Sequence, residues 1–246
     1  MVTRVSGFMA QKMGSTSDEC EDAWEAPEHP TGTRDFRCAI ADGASESSFA
    51  KIWARLLVQA YAGGNLCAGS PGAGLTPVRA QWASQVGGSR LPWYAEEKAH
   101  RGAYAALLGL HLTDVAEGIG GTWTGCAVGD CCLFLVRRNE LHTCFPMDSS
   151  AEFSRRPTLI STHIDDTSVV PTVRSGIWHD DDMFLLMTDA LAKWFLSCTE
   201  RGDKPWRMLQ DVEGDLFAMF ISALRDDGTL QNDDVTLVRV VVAAGL

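Results

Sequence analysis

The stretch Arg37-Cys-Ala-Ile-Ala-Asp-Gly43 sets the pattern of the chain: an apolar run of strand length, stopped by an acid and a glycine. Just beyond it, Phe49, Ile52, Trp53, Leu56, Leu57 and Ala60 recur at helical spacing, so Ser47 to Tyr61 reads as an amphipathic helix. Gly63-Gly64 closes that helix. Gly63 to Pro77 reads as a flexible surface loop, and its glycines match no dinucleotide or phosphate-loop spacing. A second helix is expected from Pro92 to Tyr104, with its proline in the first turn.

The texture then changes. Ala105 to Leu112, Thr122 to Val128, Cys131 to Arg137 and Glu140 to Phe145 read as strands separated by short Gly or Asn turns. Met183 to Met187 is another strand, followed by helices at Ala190 to Cys198, Pro205 to Val212 and Asp215 to Leu224. Val235 to Val242, rich in β-branched residues, closes the series. Antiparallel strands in runs between pairs of helices predict an α+β fold with sheets in the middle and helices outside. Without an internal repeat or a composition break, residues 1–246 are expected to form a single domain. Residues 147–182 are polar, weakly periodic and longer than an ordinary connection, as functional flaps are.

Composition narrows the function classes. The chain has 246 residues, 46% of them hydrophobic, and a formal net charge of −11. That acidity, with no interleaving of basic and aromatic residues, argues against a nucleic-acid partner. No apolar run approaches the length of a membrane span, and Met1 to Lys12 lacks a signal core, so a cytoplasmic location with no membrane partner is expected. The eight cysteines form no C-x-x-C pair and read as reduced thiols.

Acids punctuate the strands. Glu21-Asp22 precedes a tryptophan, Asp42 ends an apolar run, Asp130 interrupts one, Asp189 follows Met183 to Thr188, and Asp233-Asp234 precedes the last strand. Taken singly, an Asp after a strand is ordinary turn chemistry. Asp130 fits that reading poorly, because aspartate is disfavoured between apolar strand residues. Antiparallel pairing sets one strand's end beside the next strand's start, so these acids can meet at one rim. Gathered carboxylates repel one another, and hard divalent cations relieve the conflict by taking oxygen ligands from all of them.

The ordered set Glu21-Asp22, Asp42-Gly43, Val128-Gly129-Asp130, Thr188-Asp189-Ala190 and Asp233-Asp234-Val235-Thr236 resembles the PPM (type 2C) family of metal-dependent protein serine/threonine phosphatases, in a divergent bacterial form. The resemblance runs from about Gly7 to Val242 and implies a four-layer αββα sandwich. It implies two Mn²⁺ or Mg²⁺ ions, with a third in bacterial members. On this resemblance, Asp42 bridges both metals, the Gly43 carbonyl binds one, and Asp189 and Asp233 complete the first site. Asp130 with Asp189 holds the third ion, while Glu21 and Asp22 hold metal-bound water. The implied activity is hydrolysis of phosphoserine and phosphothreonine in proteins by a metal-bridging hydroxide, without a covalent intermediate.

Ser17 stands where family members often carry a phosphate-clamping arginine, and Ala44 where a histidine often follows the Asp-Gly pair. Ala190 replaces a glycine. Lys12 is the candidate replacement for the clamp, and Arg155 and Arg156 in the flap are candidate contacts to a phosphoprotein. The two departures at 17 and 44 motivate an alternative, a weak or inactive relative that binds phosphoproteins.

Overall fold

Successive residues of a strand point to opposite faces, so a sheet buried on both sides needs a cover on each. The computed structural model describes residues 2–27, 34–45, 47, 49–66, 71–87, 97, 99–114, 120–154, 156–164 and 169–243. In chain order the first elements are β1 (Val2–Ala10), β2 (Ala23–Glu25), β3 (Asp35–Gly43), α1 (Ala50–Ala62), α2 (Pro71–Gly87), β4 (Tyr104–Asp114) and β5 (Gly121–Val128). There follow β6 (Cys132–Arg137), β7 (Glu140–Phe145), β8 (Ile160–Ser161), β9 (Thr172–Trp178), β10 (Met183–Met187), α3 (Asp189–Glu200), α4 (Trp206–Leu209), α5 (Asp215–Asp226) and β11 (Val235–Ala243).

Two antiparallel sheets result. One has the order β1-β11-β10-β6-β7; the other has the order β2-β3-β4-β5-β9, with β8 added against β4. Their side chains sort into three buried layers. Phe36, Cys38 and Ile40 meet Phe184, Leu186, Val238 and Val240 between the sheets. Ala39 and Ala41, on the opposite face of β3, pack on Trp53 and Leu57 of α1. Leu185, Met187, Val235 and Leu237 pack on Leu191, Phe195, Phe217 and Ile221 of α3 and α5. Three apolar layers separate four structural ones, giving the αββα sandwich expected from the sequence. Trp123 and Phe184 make an edge contact at 5.9 Å within the middle layer, and Phe134 stacks on Phe195 at 4.2 Å in an outer one.

Several expectations need correction. The loop drawn from Gly63 to Pro77 gives way at Pro71 to α2, whose buried Leu75, Val78, Trp82 and Val86 form one stripe at helical spacing. Glycines and prolines in its opening turns obscured that stripe. Of the helix expected from Pro92 to Tyr104, residues 92–96 and 98 lie outside the described ones, residues 97, 99 and 100 are helical, and Tyr104 opens β4 instead. The helix expected from Pro205 to Val212 is a single turn, Trp206–Leu209. β1 was not anticipated. Within residues 147–182, β8 pairs with β4 and β9 is an edge strand paired with β5, so residues 160–161 and 172–178 belong to the sheet. Among the described residues, seven cysteines are free thiols, and no helix is long and apolar enough to cross a membrane.

Candidate functional site

Strand pairing decides where the acids fall. Gly43 pairs with Ala105, and Val128 pairs with Leu107, so the ends of β3 and β5 lie beside the start of β4. Gly129 turns the chain out of β5 at φ +97°, and a β-carbon there would lie 2.5 Å from that of Ala106. Only glycine fits both demands. In the other sheet Met187 pairs with Leu237 and with Cys132, and Val235 pairs with Ala10. The residues just outside these pairs are Asp130, Asp189, Asp233, Asp234 and Lys12, all at one end of the sandwich. Asp22 joins them because Ala23 pairs with Ala41. Asp42 continues the face of Cys38 and Ile40, which looks toward the opposite sheet.

Electrostatics shows that the acids sense one another. Burial pushes Asp42 well above the usual carboxylate range, and the charges of Asp22, Asp189, Asp130 and Asp233 add to the effect. Asp189 is pushed up to about 7, first by burial and then by Asp130 and Asp233. Asp22 is pushed up to about 8 by burial, with Asp234 and Asp189 adding and the hydroxyls of Thr236 and Thr188 opposing. Burial also raises Asp130. These acids come from positions 22, 42, 130, 189 and 233, on both sheets.

Each acid is held differently. Asp22 Oδ2 accepts hydrogen bonds from Thr188 Oγ1 at 3.0 Å and Thr236 Oγ1 at 2.8 Å, while its Oδ1 is buried without a partner. Asp189 Oδ1 accepts the Ala190 N–H at 2.6 Å, at the first turn of α3. Asp234 turns to the backbone: Oδ1 accepts Lys12 N–H at 2.8 Å and Oδ2 accepts Glu21 N–H at 2.9 Å. It thereby fastens the end of β1 and the approach to β2. Glu21 is raised by burial, opposed by Ser45 and Lys12.

Among the candidate cations, Lys12 Nζ donates to Ser45 Oγ at 3.3 Å and stands 3.9 Å from Glu21 Oε2. The structure thus brings Lys12 to the rim, where its partner Ser45 lies two residues beyond Gly43. Arg156 is exposed, and its near neighbour Thr158 reaches the turn at Gly129. Arg155 lies outside the described residues. Sequence reasoning missed Arg225, whose guanidinium donates to the carbonyls of Asp233 at 2.5 Å and Gln11 at 2.9 Å. It also assigned no role to Thr188 or Thr236, although both stood inside the quoted motifs. Lys51 donates to the carbonyls of Ser17 and Asp18, holding the turn that carries Ser17.

Among the described residues no three His, Cys, Asp or Glu side chains form a ready-made metal cage. The donor chemistry nevertheless fits hard divalent cations. The acids supply oxygen only, they repel one another in a buried place, and Asp22 Oδ1 is a buried acceptor left unsatisfied.

No family model matches the sequence, and no curated protein matches it. Solved structures do match the fold. The catalytic domain of serine/threonine protein phosphatase PstP in complex with two manganese ions is 20% identical, covers 99% of each chain and has a TM-score of 0.60. The Mycobacterium tuberculosis serine/threonine phosphatase PstP/Ppp is 18% identical over 99% of this chain and 100% of its own, with a TM-score of 0.59. The Staphylococcus aureus phosphatase Stp1 is 15% identical over 99% and 96%, with the same score. The chain has the PPM phosphatase fold. In that PPM fold the acidic rim lies at one open end of the paired sheets, where β3, β10 and β11 deliver Asp42, Asp189 and Asp233.

Proposed function

We propose that the chain is a metal-dependent phosphatase that hydrolyses phosphoserine and phosphothreonine in proteins. The carrying observation is the meeting of buried and half-buried carboxylates from both sheets, with Asp22, Asp189, Asp130 and Asp233 raising the proton affinity of Asp42, and Asp130 and Asp233 that of Asp189. Asp42, between the sheets, is suited to bridge two ions, with Asp189, Asp233 and the Gly43 carbonyl beside it. Asp130 and Asp189 would share a third ion, and Glu21 and Asp22 would orient water. Bound Mn²⁺ or Mg²⁺ supplies charge neutralisation for phosphate and an acidified water. The manganese complex of the PstP domain supports that choice of ion. Lys12 would meet the substrate phosphate, and residues 147–171, with Arg155 and Arg156, would act as the flap over it. The substrates would be phosphoproteins made by serine/threonine kinases, in the cytoplasm, as the free thiols suggest.

Asp189→Asn tests this. It should reduce p-nitrophenyl phosphate turnover to background and weaken Mn²⁺ binding in calorimetry; wild-type turnover in the variant would defeat the proposal. Ser17 and Ala44 favour a second reading, phosphoprotein binding without catalysis. It predicts phosphopeptide binding by the wild-type chain with no phosphate release at millimolar Mn²⁺.

A further inference from the structure

Thr188 and Thr236 occupy positions where an apolar residue would be expected. They continue the faces of Phe184, Leu186, Val238 and Val240, which fill the layer between the sheets, and both are fully buried. A valine matches threonine in shape, so what distinguishes these residues is the hydroxyl. Its hydrogen bonds are specific. Thr188 Oγ1 accepts the Thr236 N–H at 2.9 Å, which leaves its own proton to point elsewhere, to Asp22 Oδ2 at 3.0 Å. Thr236 Oγ1 donates to that same oxygen at 2.8 Å.

Asp22 stands on the side of the other sheet, immediately before β2. Two donors from one sheet therefore converge on a single oxygen supplied by its partner, and the second oxygen, Oδ1, is left buried with nothing to accept from. Asp22 and Asp42 lie within range of each other's charge, as do Asp22 and Asp189. The hydroxyls fix the rotation of the carboxylate, and they tie the sheet carrying Asp42 to the sheet carrying Asp189 and Asp233. A carboxylate free to rotate would present either oxygen, or neither, to that space.

We propose that Thr188 and Thr236 are positioning residues: their hydroxyls reach across from one sheet and turn Asp22 of the other so that its free oxygen faces the cations held by Asp42 and Asp189. The inference rests on the metal-dependent reading above. Neither threonine touches substrate in this scheme; each acts through Asp22.

Calorimetric Mn²⁺ titration of the full chain tests it, using Thr188→Val, Thr236→Val and the two Thr→Ser variants. The valine variants should bind Mn²⁺ about 10–100-fold more weakly, the range typical for residues that orient a ligand from behind. The serine variants, which keep the hydroxyl, should recover most of the loss. Adding Thr236→Val to Asp22→Ala should cost nothing further in affinity, because the group it orients is gone. A purely structural role would lower the melting temperature and leave Mn²⁺ affinity unchanged. Wild-type affinity in both valine variants overturns the inference, as does a serine variant no better than valine. A full additive loss on the Asp22→Ala background overturns it too. If Thr236→Val does not fold by circular dichroism, Thr188→Val carries the same comparison. Absence of Mn²⁺ binding by the wild-type chain removes both this inference and the metal-dependent reading, whereas wild-type binding with unaffected valine variants removes this one alone.

Discussion

Lys12 is paired directly with one of the acids of the rim, Glu21. A phosphate arriving there would exchange a weak contact at 3.9 Å for a charge-assisted hydrogen bond. Bonds to charged groups contribute about 1.5–3 kcal/mol, and a side chain about a third exposed, as this one is, sits at the low end through solvent screening. Lys12→Met should therefore raise KM for a phosphopeptide about ten-fold and leave kcat within about three-fold, with the difference shrinking at high salt. Steady-state kinetics in Mn²⁺ checks this, and an unchanged KM removes Lys12 from the phosphate site. The acids were legible because aspartate at the end of an apolar run breaks a local preference, which is visible without the fold. The jobs of Asp234, Thr188 and Arg225 were not, because each is defined by a partner far away in the chain. Asp234 bonds to residue 12, Thr188 to residue 22 and Arg225 to residue 11.

β11 shows how one element serves two layers. Its even residues face the other sheet, while Val235 and Leu237 face the helices, and Arg239 follows on that apolar side. The arginine is nearly inaccessible, and its Nη1 donates to the carbonyls of Leu209, Gln210 and Val212 at 2.9, 2.6 and 3.1 Å. A one-turn helix such as α4 leaves its last carbonyls unpaired, and the guanidinium satisfies them while stacking over Phe8 at 5.5 Å. Arg239→Met keeps the aliphatic stem but strands three acceptors in an apolar layer, so it should cost roughly 2–4 kcal/mol. Urea unfolding should show a lower midpoint with an unchanged slope; an unchanged midpoint would count against the arginine as the cap. Elements buried on one clear stripe or on both faces were legible: β10 keeps the same limits, Met183–Met187, and α1, α3 and α5 shift by only a few residues. Edge strands were harder. β9 exposes most of its side chains, and β1 interrupts its apolar pattern with Gly7, whose missing side chain makes room for the Trp24 ring. A β-carbon at Gly7 would lie 2.3 Å from that ring, a requirement set by the opposite sheet.

For the molecule as a whole, the decisive balance is between folding and the acids that folding brings together. The chain already carries −11, and the sandwich concentrates buried carboxylates at one end. Asp22 is pushed up to about 8 and Asp189 to about 7 from an ordinary value of 3.8, first by burial in both cases. Below the ordinary value both groups are protonated whether folded or not, and they add nothing to the pH dependence. As pH rises above it, the unfolded chain releases these protons while the folded, metal-free chain retains them, so the folded state binds more protons and loses stability with each step. The penalty is complete only above the folded values. This is opposite to the usual carboxylate, whose salt bridge or hydrogen bonds depress its pKa and make acid the destabilising direction. Divalent cations compete with protons for the same oxygens, and binding to the folded state alone stabilises it by mass action. The melting temperature in EDTA should therefore fall between about pH 5.5 and pH 8.5, and the increase given by millimolar Mn²⁺ should grow over the same interval. Self-repulsion of an acidic chain acts in the same direction, so the comparison that isolates the site is Asp22→Asn. That variant keeps the size of the side chain and removes its titration, and it should flatten the EDTA profile and lose part of the Mn²⁺ increment at high pH. A wild-type profile in EDTA that is level or rises toward alkaline pH would mean that Asp22 and Asp189 are not held together and buried as the sandwich places them.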